Sequence, residues 1–152
     1  PMHSNEELAA LAVELIAAGS HFTRAAYQAS GMELSNVSIR ALAALEREPG
    51  LRIGELAARE GIRQPSMSQA MKRLVNDGYA ARHTADDDAR ATALTITDAG
   101  REVLRSYRTA AAEAVAPVFE PLKPEDVATL KRAAELLPDL TAELKQRKGG
   151  RE

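Results

Sequence analysis

The chain is expected to be mainly α-helical, a winged helix-turn-helix with a two-stranded β wing, flanked by long N- and C-terminal helices. Three observations predict it. Ile53–Gly78 reads as two short amphipathic helices joined at a glycine; residues 79–97 switch to the alternation of a hairpin; and long apolar stripes at helical spacing lie on both sides. With 152 residues the expectation is one domain over 1–152: a winged helix at 35–97, a connecting helix at 97–116, and further helices at 5–31 and 117–147.

Taken in order, Glu6–Ser30 is expected as one helix, because Leu8, Leu11, Leu15, Ala18, Phe22, Ala25 and Ala29 recur at alternating spacings of three and four. Gly31 ends it. Ser35 caps a second helix that turns Ile39, Leu42 and Leu45 inward, and Pro49-Gly50 closes it. The third helix, Ile53–Glu60, buries Ile53, Leu56 and Ala57 and stops at Gly61. Pro65 opens the fourth in its first turn, where a missing N–H costs nothing. Met67, Met71, Leu74 and Val75 form its inner face. Ser66, Ser68, Gln69, Lys72, Arg73 and Asn76 are left on the outer faces. Short hydrogen-bonding groups with cations suit a DNA groove, where they reach base edges and phosphates.

Two strands come next, Tyr79–Thr84 and Arg90–Thr97, around an Asp-rich turn at 85–89. Thr92, Leu94 and Ile96 share one parity, as a strand with one covered face requires. Thr97 then starts a helix through Leu104, Tyr107, Ala111 and Val115, with Pro117 and Pro121 expected to interrupt it. The last helix opens at Pro124 and carries Val127, Leu130, Ala134, Leu137, Leu140 and Leu144, and Pro138 is expected to kink or break it.

The run from Asp88 through Arg90 to Thr97, followed by Asp98-Ala99-Gly100, resembles the wing signature of MarR-type regulators. In that family an Asp-x-Arg element sits in the wing, and a Leu-Thr-x-x-Gly element leads into the next helix; here the latter is Ile96-Thr97-Asp98-Ala99-Gly100. Leu56-Ala57, Gly61, Ser68, Arg73-Leu74 and Gly78 resemble the family's helix-turn-helix. The resemblance implies a homodimeric transcriptional regulator, in the main a repressor, on an inverted-repeat operator of double-stranded DNA. Its DNA-contacting residues would be Arg63, Gln64, Pro65, Ser66, Ser68, Gln69, Lys72, Arg73 and Asn76, with Asp88 and Arg90 from the wing. It also implies release by a small aromatic or phenolic effector, for which His21, Tyr27, Arg40 and Tyr107 stand on the relevant helices.

The physics agrees with the wing assignment: a narrow minor groove rewards an inserted guanidinium, and an Asp two residues earlier holds it by a charge-assisted hydrogen bond. The chain departs from the family in several places. Asp86, Asp87 and Asp88 cluster near a tip that approaches phosphates, and the turn has no proline. Gln69 stands where many relatives are basic, Lys72 where many are acidic, and Arg52 where the family favours a Ser or Thr cap.

The formal net charge is −2, yet Arg63, Lys72, Arg73 and Arg82 face a single acid, Asp77, between Gly61 and Thr84. A local basic face on a mildly acidic molecule fits a binder that depends on site geometry more than on bulk attraction. With no cysteine, disulfides, thiolate catalysis and thiol redox sensing are excluded. The three histidines lack metal-ligand spacing, no Gly-rich phosphate loop occurs, and Ser66 and Ser68 have no nearby His. No enzyme, metal or cofactor is therefore expected. No apolar run approaches the ~20 residues of a membrane span. Without a signal peptide the expected location is cytoplasmic, and Pro1 before Met2 reads as a cloning remnant. The rival reading is a winged helix serving as a protein-interaction module without specific DNA binding.

Overall fold

In the computed structural model, residues 2–85 and 88–150 are described, with the side chains of all of these except 85 and 88–91. The elements run in the order α1 (Asn5–Ala29), α2 (Asn36–Arg47), α3 (Ile53–Glu60), α4 (Gln64–Asn76), β1 (Ala80–Ala85), β2 (Asp88–Ile96), α5 (Asp98–Phe119) and α6 (Pro124–Gly149). Two compact units result, Pro1–Ala114 and Val115–Glu152.

The first unit has its core where the sequence pattern requires it. Leu42, Leu45, Leu56, Met67, Met71 and Leu74 are fully buried, and Ile39, Leu51, Leu94, Ile96, Leu104 and Tyr107 complete the cluster. α2 packs against α3, α4 and β2, so the three short helices and the wing share one apolar centre. At roughly 1.5–3 kcal/mol for each large aliphatic side chain buried, this centre fixes how the α4 surface faces outward.

Local chemistry sets the ends of the elements. The Ser35 hydroxyl accepts from the Ser38 N–H (3.1 Å), capping α2. The Ser4 hydroxyl accepts from the Glu7 N–H while the Glu7 carboxylate accepts from the Ser4 N–H, a reciprocal cap at the start of α1. α3 has half of that arrangement. Glu55 accepts from the Arg52 N–H (3.1 Å), but arginine offers no acceptor in return. Gly61 leaves α3 in the left-handed region (φ 61°), and the Ile62 N–H reaches back to the Ala57 carbonyl (3.0 Å).

The hairpin is antiparallel, pairing Ala80 with Ile96 through Thr84 with Thr92, then Ala85 with Asp88 across an irregularity after Thr84. Strand β2 thus begins at Asp88, earlier than expected, and residues 86–87 of the expected turn lie outside the described residues. A further pairing, unexpected from the sequence, anchors the wing. Leu94 N–H donates to the Leu51 carbonyl (2.8 Å), and Gly50 N–H donates to the Leu94 carbonyl (2.9 Å).

Pro117, expected to interrupt α5, lies inside it, two residues before its end at Phe119, and Pro138, expected to kink or break α6, does not break it. Both prolines are exposed, so a carbonyl deprived of its donor faces solvent and can be hydrated, which lowers the penalty of interrupting the ladder.

Candidate nucleic-acid interface

The α4 helix separates its residues cleanly. Met67, Ala70, Met71 and Leu74 are buried; Gln64, Pro65, Ser66, Gln69, Lys72, Arg73 and Asn76 are exposed, with Arg63 exposed at the N-cap and Ser68 half-buried. The outer face is therefore continuous from the first turn to the last. It carries no acid in its first turn, so the positive end of the helix dipole is left uncompensated for an anion. Arg73 leans toward Asp77 one turn on (3.9 Å), a loose exposed pair that holds it weakly.

β1 packs on α4. Arg82, counted in the sequence among the cations of this region, is exposed on β1. The His83 ring and the Thr95 hydroxyl lie 2.8 Å apart across the two strands. Asp88 and Arg90 belong to β2, but their side chains lie outside the described residues.

The junction between wing and α5 explains the Thr-x-x-Gly spacing. Thr97 N–H donates to the Tyr79 carbonyl (3.1 Å), and its hydroxyl donates to the Gly78 carbonyl (2.6 Å) while accepting from the Gly100 N–H (3.0 Å). One side chain ties the end of α4, the end of the wing and the start of α5. Gly100 is required for a different reason: a Cβ there would lie 2.0 Å from the Tyr79 carbonyl oxygen and 2.8 Å from Ile96 Cγ1.

Of the four residues considered for an effector, two share a cleft. Tyr27 and Tyr107 line one open cleft of about 230 Å³, with Arg24, Gln28, Met32, Leu34, Asn36 and Ile39. Their rings lie 5.9 Å apart and tilted at 51°. Tyr107 is buried, its hydroxyl donates to the Leu34 carbonyl (2.8 Å), and burial pushes its pKa upward. His21 is exposed on α1, one turn before Arg24, and does not line the cleft, and Arg40 instead engages Glu60. Arg24, Gln28 and Asn36, polar residues at the end of α1 and the start of α2, escaped the sequence reading because no motif marks them.

Among the described residues there is no group of three or more His, Cys, Asp or Glu placed to hold a metal ion. No helix among them is long and apolar enough to cross a membrane.

A winged helix with an exposed polar, cationic second helix defines a DNA-binding regulator of transcription. Comparison with known proteins specifies which: the chain belongs to the MarR family. The MarR family model matches residues 30–91, from the end of α1 into the wing. An HTH-type transcriptional regulator of Mycobacterium bovis is 31% identical over 114 residues, 75% of this chain and 78% of that protein. Its counterpart in Mycobacterium leprae is 30% identical over the same length and shares. A MarR-family regulator from Silicibacter pomeroyi has a similar structure at 27% identity, with TM-score 0.56 over 85% of this chain and 86% of that one. Apo MarR from Escherichia coli, at 16% identity, shares the fold with TM-score 0.70 over 84% and 96% of the two chains. Members of this family are regulators and not enzymes.

Proposed function

We propose that the protein is a homodimeric repressor that reads an inverted-repeat operator and lets go when a small aromatic or phenolic acid binds. The continuous outer face of α4 carries this reading. Gln69, in the middle of that face, and Arg73, in its last turn, contact base edges in the major groove. Arg63, Gln64, Pro65, Ser66, Ser68, Lys72 and Asn76 contact phosphates or adjacent edges, and Arg90, steadied by Asp88, meets the minor groove.

Dimerisation is supported by apolar residues that a single chain leaves exposed: Leu8, Leu11 and Leu15 on α1, and Leu130, Leu137, Leu140 and Leu144 on α6. Two-fold association through 5–31 and 117–147 covers these stripes and sets two readers about one helical turn, ~10 bp, apart. The cleft beside Tyr27 and Tyr107 supports the effector, since one ring and a carboxylate fit its volume and Arg24 lines it. An effector that fits a splayed dimer better than the DNA-competent one shifts the population by that difference in affinity.

The test is selection of bound duplexes from a random pool, followed by challenge of the complex with benzoates and phenolic acids. An enriched inverted repeat, released by at least one acid, is the expected result. A pool left unenriched contradicts the reading, and binding that ignores added salt points instead to the protein-interaction module.

A further inference from the structure

The α3–α4 turn is held from behind by a charged clamp. Glu60, the last residue of α3, has a side chain only 13% exposed, and both of its carboxylate oxygens face arginines of α2. Arg40 Nε donates to Oε1 (3.4 Å), and Arg47 Nη2 lies 3.5 Å from Oε2. Arg40 and Arg47 are seven residues apart, two helical turns, and so project from one face of α2. Arg40 also donates through Nη2 to the main-chain carbonyl of Glu60, one of the carbonyls a helix end leaves without an intrahelical donor. The guanidinium fork thus grips side chain and backbone of the same residue.

The clamp matters because of the residues just beyond Glu60. Gly61 reverses the chain, Ile62 anchors back onto α3, Arg63 is the N-cap of α4, and the outward face starts at Gln64. A shift at Glu60 passes through three residues to the helix proposed to read DNA. The neighbouring pair joins Arg59 of α3 to Glu48, the residue after α2, is about half exposed on both sides, and bonds through side chains alone.

We propose that Glu60, held by Arg40 and Arg47, is a positioning residue that fixes the rotation and depth of α4 without touching DNA. The proposal rests on the reading of α4 as the recognition helix. It also accounts for Arg40, which does not line the cleft.

The test compares the parent with Glu60→Gln, Arg40→Gln, the double variant and Glu48→Gln. Each is titrated with the selected duplex and a scrambled duplex of equal length, and amide exchange is followed at Ile62. Glu60→Gln and Arg40→Gln should each lose roughly tenfold in the ratio of specific to scrambled affinity, and the double less than the product of the two losses, since they share one bridge. The protection of the Ile62 amide should fall in all three, while Glu48→Gln matches the parent in both readouts. A purely structural pair would lower the melting temperature and leave the affinity ratio unchanged, which overturns the proposal; losses that multiply in the double variant overturn it too. Should Glu60→Gln not fold, Arg47→Gln, which leaves one carboxylate oxygen paired, must show a smaller loss in the same ratio. If the parent itself binds no duplex, the repressor reading fails, and unchanged Ile62 exchange in the variants then refutes the clamp by itself.

Discussion

Single side chains divide the work on this protein by where their polar atoms are free to go. Arg90→Ala is expected to weaken operator binding about tenfold, within the range of one well-placed contact, while the dimer persists. A duplex titration with parallel sedimentation checks both, and equal affinity of variant and parent contradicts the wing assignment. Tyr107 gives a prediction in pH. Burial raises its pKa, so the unfolded chain ionises first, near pH ~10, and the native state then holds the extra proton. Stability should therefore fall as the pH rises through that value, and Tyr107→Phe should flatten the fall. Unfolding by urea between neutral pH and about pH 11 measures it, and a flat parent profile contradicts it.

At the scale of elements, the wing junction is the tightest joint. Gly100→Ala forces a Cβ against the Tyr79 carbonyl oxygen, and a destabilisation of about 1–3 kcal/mol is expected. Thr97→Ala removes both hydroxyl bonds and should cost about 1 kcal/mol or more. Thermal unfolding of each variant checks these; a Gly100→Ala protein as stable as the parent means that α5 and the Tyr79 backbone, just before β1, are not in contact as described. Most helices were legible in the sequence because their start and stop signals are local: Ser35 and Gly61 act within one turn of themselves. The interruption expected at Pro117 and the break expected as one outcome at Pro138 did not occur because the penalty depends on whether the orphaned carbonyl meets solvent, which a pattern of letters does not say. The Leu51–Leu94 pairing was illegible for a related reason, since one bridge leaves no alternation to detect. In the interface, the polar face of α4 is set by periodicity alone. The separation of Arg40 from the cleft is not, because its partner lies twenty residues away on another helix.

For the molecule as a whole, net charge and exposed apolar surface point to the same arrangement. A formal charge of −2 gives little general attraction to DNA, so binding should rely on two readers engaged together. Leu137→Glu places a charge in the apolar stripe of α6 and is expected to dissociate the dimer at micromolar concentration and lower operator affinity by a factor of ten or more. Sedimentation of the variant as a dimer would show that this stripe is not the interface.

The most direct measurement of the central claim is the affinity of parent and Arg73→Ala for every single-base substitution of the selected duplex. A side chain reading a base edge predicts that the variant loses discrimination at one position in each half-site, related by two-fold symmetry, where the parent distinguishes bases by about 1–3 kcal/mol. A loss spread evenly over all positions, or confined to one half-site, would contradict an α4 helix presented twice to the major groove.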